Sequence, residues 1–165
     1  MSASNRHACD SRVRPVADVT MPARHRLQMA LHGTVVILLG LLAGFPYAFV
    51  VTGAMQGEER AWRMAHSEGL QNGMLLLAVS GVAGLLVLDE RRSRICAWSL
   101  IVAAYGNVIA SVIGASTGTR GLELALPAAN VVVYVLFVVA ILGVLASLLL
   151  VAIGARNALL ASDSR

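Results

Sequence analysis

Four long apolar stretches, each close to the span of a lipid bilayer, constrain this chain more than any other feature. They run from about Leu31 to Val51, His66 to Leu88, Ile95 to Ala115 and Ala128 to Ile153. A helix needs roughly 20 apolar residues to cross the hydrocarbon core. Inside lipid such segments must be helical, because isolated strands would leave backbone groups unpaired. The pattern predicts an all-α fold, a four-helix transmembrane bundle. Composition agrees: 58% of the 165 residues are hydrophobic and 13% charged, where a soluble domain carries about a quarter charged residues. The 15 glycines suit helices packed closely within lipid.

The connectors are short: residues 53–65, Asp89 to Arg94, and residues 116–127. Residues 1–26 are polar and Arg-rich, with Pro15 and Pro22, and read as a disordered cytoplasmic arm. They are not a cleavable leader, because the apolar run that follows is too long for one. Residues 27–155 form the membrane domain and 156–165 a cytoplasmic tail. All 13 basic residues are arginine. Ten lie in the arm, the middle connector and the tail; Arg60, Arg63 and Arg120 fall in the other two connectors. That bias places both termini and the middle connector in the cytoplasm. It also accounts for the net charge of +4 without a nucleic-acid partner. Trp62 suits the outer interface and Trp98 the inner one. Cys9 and Cys96 form no CxxC pair, no CxxCH haem attachment and no disulfide framework.

Polar residues within the apolar segments are the candidate site. His66 opens the second span, and an ionisable group at such a place is a site hypothesis by default. The alternative is a solvated histidine at headgroup level. With about 1.5 Å of rise per residue, Asn72 on the second span and Asn107 on the third reach nearly the same depth. Ser111 falls between them and His66, and Tyr134 belongs to the same layer. This convergence in the outer half of the membrane predicts a pocket. Gly69, Gly73 and Gly84 share a helical stripe with His66, smooth enough for a flat object or another helix to lie against. Ala103, Asn107, Ser111 and Gly114 share a face of the third span, while Tyr105 points elsewhere. Ordinary small-residue packing, with each asparagine bonded between helices, explains the same pattern. His32 lies near the opposite leaflet from His66, so the pair is poorly placed to sandwich one haem. An interfacial or helix-packing role suits it better.

The strings Trp62-x-x-Ala65-His66-Ser67, Asn72-Gly73-Met74, Asn107-Val108 and Arg120-Gly121-Leu122, with His32-Gly33, resemble those of the styrene oxide isomerases. The resemblance covers all four spans, roughly residues 28 to 155. It implies a small enzyme of a bacterial inner membrane, assembled as a homotrimer, that binds haem b and converts aryl epoxides to aldehydes. His66 then takes the axial haem ligand position, with Gly69 and Gly73 beside the cofactor. Asn72 takes the position of an asparagine that holds the epoxide, helped by Asn107 and Ser111. The reaction implied is redox-neutral: Lewis-acid opening of a lipophilic epoxide and a 1,2-hydride shift.

Three positions depart from the family pattern. Ser111 stands where the family has a pocket tyrosine, Ala103 where it has an aspartate, and Tyr105 where it has a tryptophan. The substrate wall is therefore altered, while the haem position is retained. A non-catalytic membrane haem protein is the rival reading. A proton or ion pathway through His66 is the third, and it lacks a second carboxylate in the membrane interior to relay protons.

Overall fold

The computed structural model describes residues 20–163. Four helices carry the fold: α1 Ala23–Val51, α2 Glu59–Val82, α3 Glu90–Thr117 and α4 Ala128–Asp163. A single 3-10 turn, Ala83–Leu85, closes α2. The expected all-helical bundle is present among the described residues. Both described termini and the connection between α2 and α3 lie at one end, here the terminal end. The α1–α2 and α3–α4 loops lie at the other, the far end.

Among the described residues, three helices are long and apolar enough to cross a membrane: α1, α3 and α4. The expected second span is a helix, but its first half is too polar to join them. Glu59, Arg60, Arg63, His66, Glu68, Gln71 and Asn72 crowd into its first fourteen residues. The helix also begins earlier than expected, at Glu59, so His66 lies about 10 Å along it rather than at its start.

Local chemistry sets the helix limits. Asp89 caps α3 by accepting a hydrogen bond from the Arg92 backbone N–H at 2.8 Å. Gly118, with φ +69°, ends α3 in the left-handed conformation that a side chain would strain. Pro22 sits just before α1, where a missing N–H costs nothing. Residues 1–19 of the expected N-terminal arm lie outside the described residues. Its last residues belong to the bundle: Met21 and His25 are buried, and α1 is already helical from Ala23. His25 explains this early start, since its ring bonds Gln28 at 3.1 Å and Glu90 at 3.2 Å. The expected tail likewise continues α4 as far as Asp163.

α3 is the central helix: 56% of its apolar stretch is buried, against 17% for α1 and 11% for α4. The outer faces of α1 and α4 leave Leu41, Leu42, Phe45, Ile141, Leu142 and Leu149 exposed, which is the surface lipid or a second copy would cover. Glycine brings α1 and α2 together. A Cβ on Gly40 would stand 2.8 Å from backbone atoms of Gly69, and one on Gly33 would stand 3.0 Å from the Gly73 carbonyl oxygen. On the other side of the bundle, Gly143 of α4 lies against the Ser99 carbonyl of α3, and Cys96 meets Ser147 at 3.4 Å. These close backbone approaches substitute for bulky packing, as in other helices that associate within lipid.

Candidate functional site

Residues two apart on a helix project about 200° from each other. His66 and Glu68 therefore leave α2 on opposite sides, and the two sides are chemically different.

The His66 side faces α1. Its Nδ1 lies 2.8 Å from the Gly40 carbonyl oxygen. A carbonyl oxygen only accepts, so Nδ1 carries the hydrogen and, in the neutral ring, Nε2 keeps its lone pair. The approach is possible because residue 44 is glycine: a Cβ there would stand 3.0 Å from His66 Nδ1. Tyr47 stacks on the imidazole, centroids 6.3 Å apart and planes 16° from parallel. The ring is thus fixed in orientation and tautomer, as metal-ligating histidines are through their second nitrogen. No group of three or more His, Cys, Asp or Glu is placed to hold a bare metal ion among the described residues. Haem iron needs only an axial donor from the protein, and His66 Nε2 fits that need.

The Glu68 side faces α3 and α4. A cavity of about 220 Å³ opens there at the far end. Glu58, Arg60, Thr119 and Arg120 form its polar mouth, with Arg120 3.9 Å from Glu58. Met64, Ala110, Gly114, Val133 and Phe137 line its apolar walls, and Ser111 lies at its wall on α3. Glu68 sits one turn deeper than Met64 on the same face of α2, with its carboxyl beside the Ser111 hydroxyl. The two groups do not reach hydrogen-bond geometry. Glu68 Oε2 and Ser111 Oγ are both buried without a partner.

The expected pocket residues are thus divided. Ser111 lines the cavity, whereas Tyr134, on α4 between the lining residues Val133 and Phe137, is not among the residues that line it. Asn72 is half-buried, and its amide nitrogen donates to the Glu68 carbonyl one turn earlier, at 2.8 Å. Asn107 is half-buried, one turn from Ser111 on α3, and no hydrogen bond joins it to Asn72. His66 stands apart from all of them, across α2. A cofactor role for Gly69 and Gly73 gives way to helix packing: Gly69 lies against Gly40, and Gly73 against Gly33 and Ile37. The third glycine of the stripe, Gly84, lies against the Arg26 guanidinium. Of the two occupants that stripe allowed, a flat object or a helix, α1 is the one present.

His32 is a packing residue. Its Nδ1 is 3.0 Å from the Tyr105 hydroxyl, and its ring also meets Trp98. Tyr105 accordingly points away from the Ser111 face.

Sequence reasoning gave no role to two residues. Glu68 stands one turn before Asn72, and a carboxyl in an otherwise apolar helix face was the available signal. Asn130 accepts from the Gly121 N–H at 2.8 Å and donates to the Glu123 and Ala125 carbonyls at 2.9 and 3.0 Å. It pins the loop that carries Arg120 and Leu122 onto the cavity. Only the folded loop reveals that role.

Fold and site together define a small helical protein with membrane-spanning helices, an oriented histidine on one side and a cavity on the other. The family model for styrene oxide isomerase matches residues 25–156, most of the chain, taking in all of α2 and α3 and all but the start of α1 and the end of α4. The chain belongs to the styrene oxide isomerase family. No match is found among curated proteins.

Proposed function

We propose that this protein is a haem b-dependent isomerase that converts styrene oxide, or a related aryl or lipophilic epoxide, to an aldehyde. The observation that carries the reading is the His66–Gly40 hydrogen bond, which leaves Nε2 as a fixed donor in a chain of this family. His66 would hold the iron, with Gly40 and Tyr47 orienting its ring. Haem, when bound, supplies the Lewis acid that weakens an epoxide C–O bond. In the overall conversion the C–O bond breaks at the aryl-bearing carbon, a hydride moves to that carbon, and the oxygen becomes the carbonyl oxygen. No electrons or protons are gained or lost.

The chain's own residues position the substrate. The second amide hydrogen of Asn72 and the amide of Asn107 are proposed to orient the epoxide, with Ser111 bounding the cavity. The apolar walls keep water from competing as a nucleophile. Because His66 and the Ser111 cavity lie on opposite sides of α2, one copy alone does not bring both to one substrate. A homotrimer does so if the His66 side of each copy meets the cavity side of the next, the head-to-tail contact that closes into a ring. Both termini are proposed to face the cytoplasm of a bacterial cell, with the cavity mouth at the outer side of the inner membrane.

Incubation of detergent-purified protein with styrene oxide, without added oxidant or reductant, tests the reading. Phenylacetaldehyde as sole product supports it; diol alone, or unchanged epoxide, overturns it.

A further inference from the structure

α3 is the most buried of the spanning helices, yet one strip of it stays open. Arg91, Trp98, Val102 and Ile109 project within about 40° of one another, with Arg94 beside them. Trp98, Val102 and Ile109 keep 43%, 49% and 45% of their surface exposed. α1 flanks the strip on one side, where His32 meets Trp98 and Tyr105. α4 flanks it on the other, where Gly143 lies against the Ser99 carbonyl. The strip is therefore the floor of a groove between α1 and α4. Ser111 leaves α3 about 160° away from Arg91, so the groove and the Ser111 cavity lie on opposite sides of the helix. Arg91 and Arg94 stand at the terminal end of the groove, exposed and, among the described residues, in no ion pair. The acids nearest them are already engaged: Asp89 by Arg92 at 3.4 Å and Glu90 by Arg24 at 2.8 Å.

We propose that this groove binds one anionic phospholipid of the leaflet at the terminal end, its phosphate held by Arg91 and Arg94 and an acyl chain lying along Trp98, Val102 and Ile109. The order of chemistry along the strip is that of the lipid itself. Two guanidiniums come first, each able to donate two hydrogen bonds to phosphate oxygens. An indole follows about 6 Å deeper, at the level where tryptophan favours the membrane interface. Beyond it the strip is apolar, and from Trp98 to Ile109 it runs about 16 Å, close to the hydrocarbon depth of one leaflet. Net negative charge is what the groove selects. The ammonium of a zwitterionic headgroup would stand beside two unpaired guanidiniums, with Asp89 and Glu90 already committed elsewhere. An anionic headgroup brings no such repulsion. The inference uses neither His66 nor Ser111 and stands without the isomerase reading.

The test reconstitutes the full chain in phosphatidylcholine bilayers that contain a small fraction of brominated phosphatidylglycerol, phosphatidylethanolamine or phosphatidylcholine. Bromine on the acyl chain quenches a tryptophan that it touches. Trp62 and Trp98 are the two tryptophans of the chain, and Trp98→Phe, which leaves only buried Trp62, supplies the background. Brominated phosphatidylglycerol should quench Trp98 at about one tenth of the mole fraction that brominated phosphatidylcholine needs, as two arginines beside an anionic lipid allow. Brominated phosphatidylethanolamine should match phosphatidylcholine. Arg94→Gln should weaken the preference about fivefold, whereas Arg92→Gln, which removes an equal charge already paired with Asp89, should leave it within about twofold. Equal quenching by the three lipids, a phosphatidylethanolamine that matches phosphatidylglycerol, or an equal loss in the two arginine variants overturns the inference. So does a Trp98 that no lipid reaches, the result of a second copy covering the groove. The comparison among lipids in the wild type needs no variant to fold, and no epoxide enters it.

Discussion

His66 Nδ1 lies 2.8 Å from the carbonyl oxygen of Gly40, so a backbone atom of α1 fixes the tautomer of a side chain on α2. The bond depends on how closely the two helices approach. Gly40→Ala places a methyl 2.8 Å from the Gly69 backbone, which has no flexible end to move aside. Alanine's better helix propensity, worth about 1 kcal/mol, offsets only part of the overpacking, about 1–3 kcal/mol. The variant should unfold at lower temperature in detergent and retain less haem than the wild type. Unchanged stability and haem content would show that the approach of α1 does not position His66.

The bundle was legible because four apolar stretches of bilayer length leave helices as the only solution in lipid. The polarity of α2 was legible too, residue by residue, but its effect on spanning was masked by the apolar half from Met74 onward. Depth along each helix follows from rise alone, which is why Ser111 and Tyr134 were expected beside a pocket. Direction around the helix axis needs to know which neighbour lies where. Rise put His66 and Ser111 in the same half of the membrane, whereas the structure places them on opposite sides of α2. The same limit hid the partner of the glycine stripe, since Gly40 and Gly33 meet Gly69 and Gly73 only once α1 is antiparallel to α2. Glu68 escaped notice because its burial depends on Ser111, forty-three positions away in the chain.

Ser111 is the position where a side chain of different size changes the cavity most directly. Ser111→Tyr fills part of the space and brings a phenol hydroxyl into it. A hydrogen bond to a polarised group contributes about 1.5–3 kcal/mol, or roughly one to two orders of magnitude in rate. Turnover of styrene oxide should rise by that order in Ser111→Tyr, while turnover of bulkier epoxides falls. Steady-state rates on a size series of epoxides check this. A wild type already faster than the variant on styrene oxide contradicts it.

On the proposed reading, in which His66 and the Ser111 cavity serve one substrate, their separation across α2 calls for more than one copy per site. Native mass spectrometry of the detergent-released protein should show a trimer carrying haem. A haem-loaded monomer with full activity contradicts the shared site.

Arginine placement carries the orientation. A reporter fused after Arg165 should be active only when it requires the cytoplasm, and one placed in the loop near Gly121 only when it requires the periplasm. The reverse pattern would place the cavity mouth on the inner side.

His66 is proposed to bind haem, and the haem to perform the isomerisation. The most direct measurement is the absorption spectrum of detergent-purified wild type and His66→Ala, each followed by addition of styrene oxide to the same cuvette. The wild type should show a Soret band and form phenylacetaldehyde; the variant, still folded by circular dichroism, should show neither. A variant that keeps stoichiometric haem contradicts the ligand assignment, and a haem-loaded wild type that converts no epoxide makes this a non-catalytic haem protein.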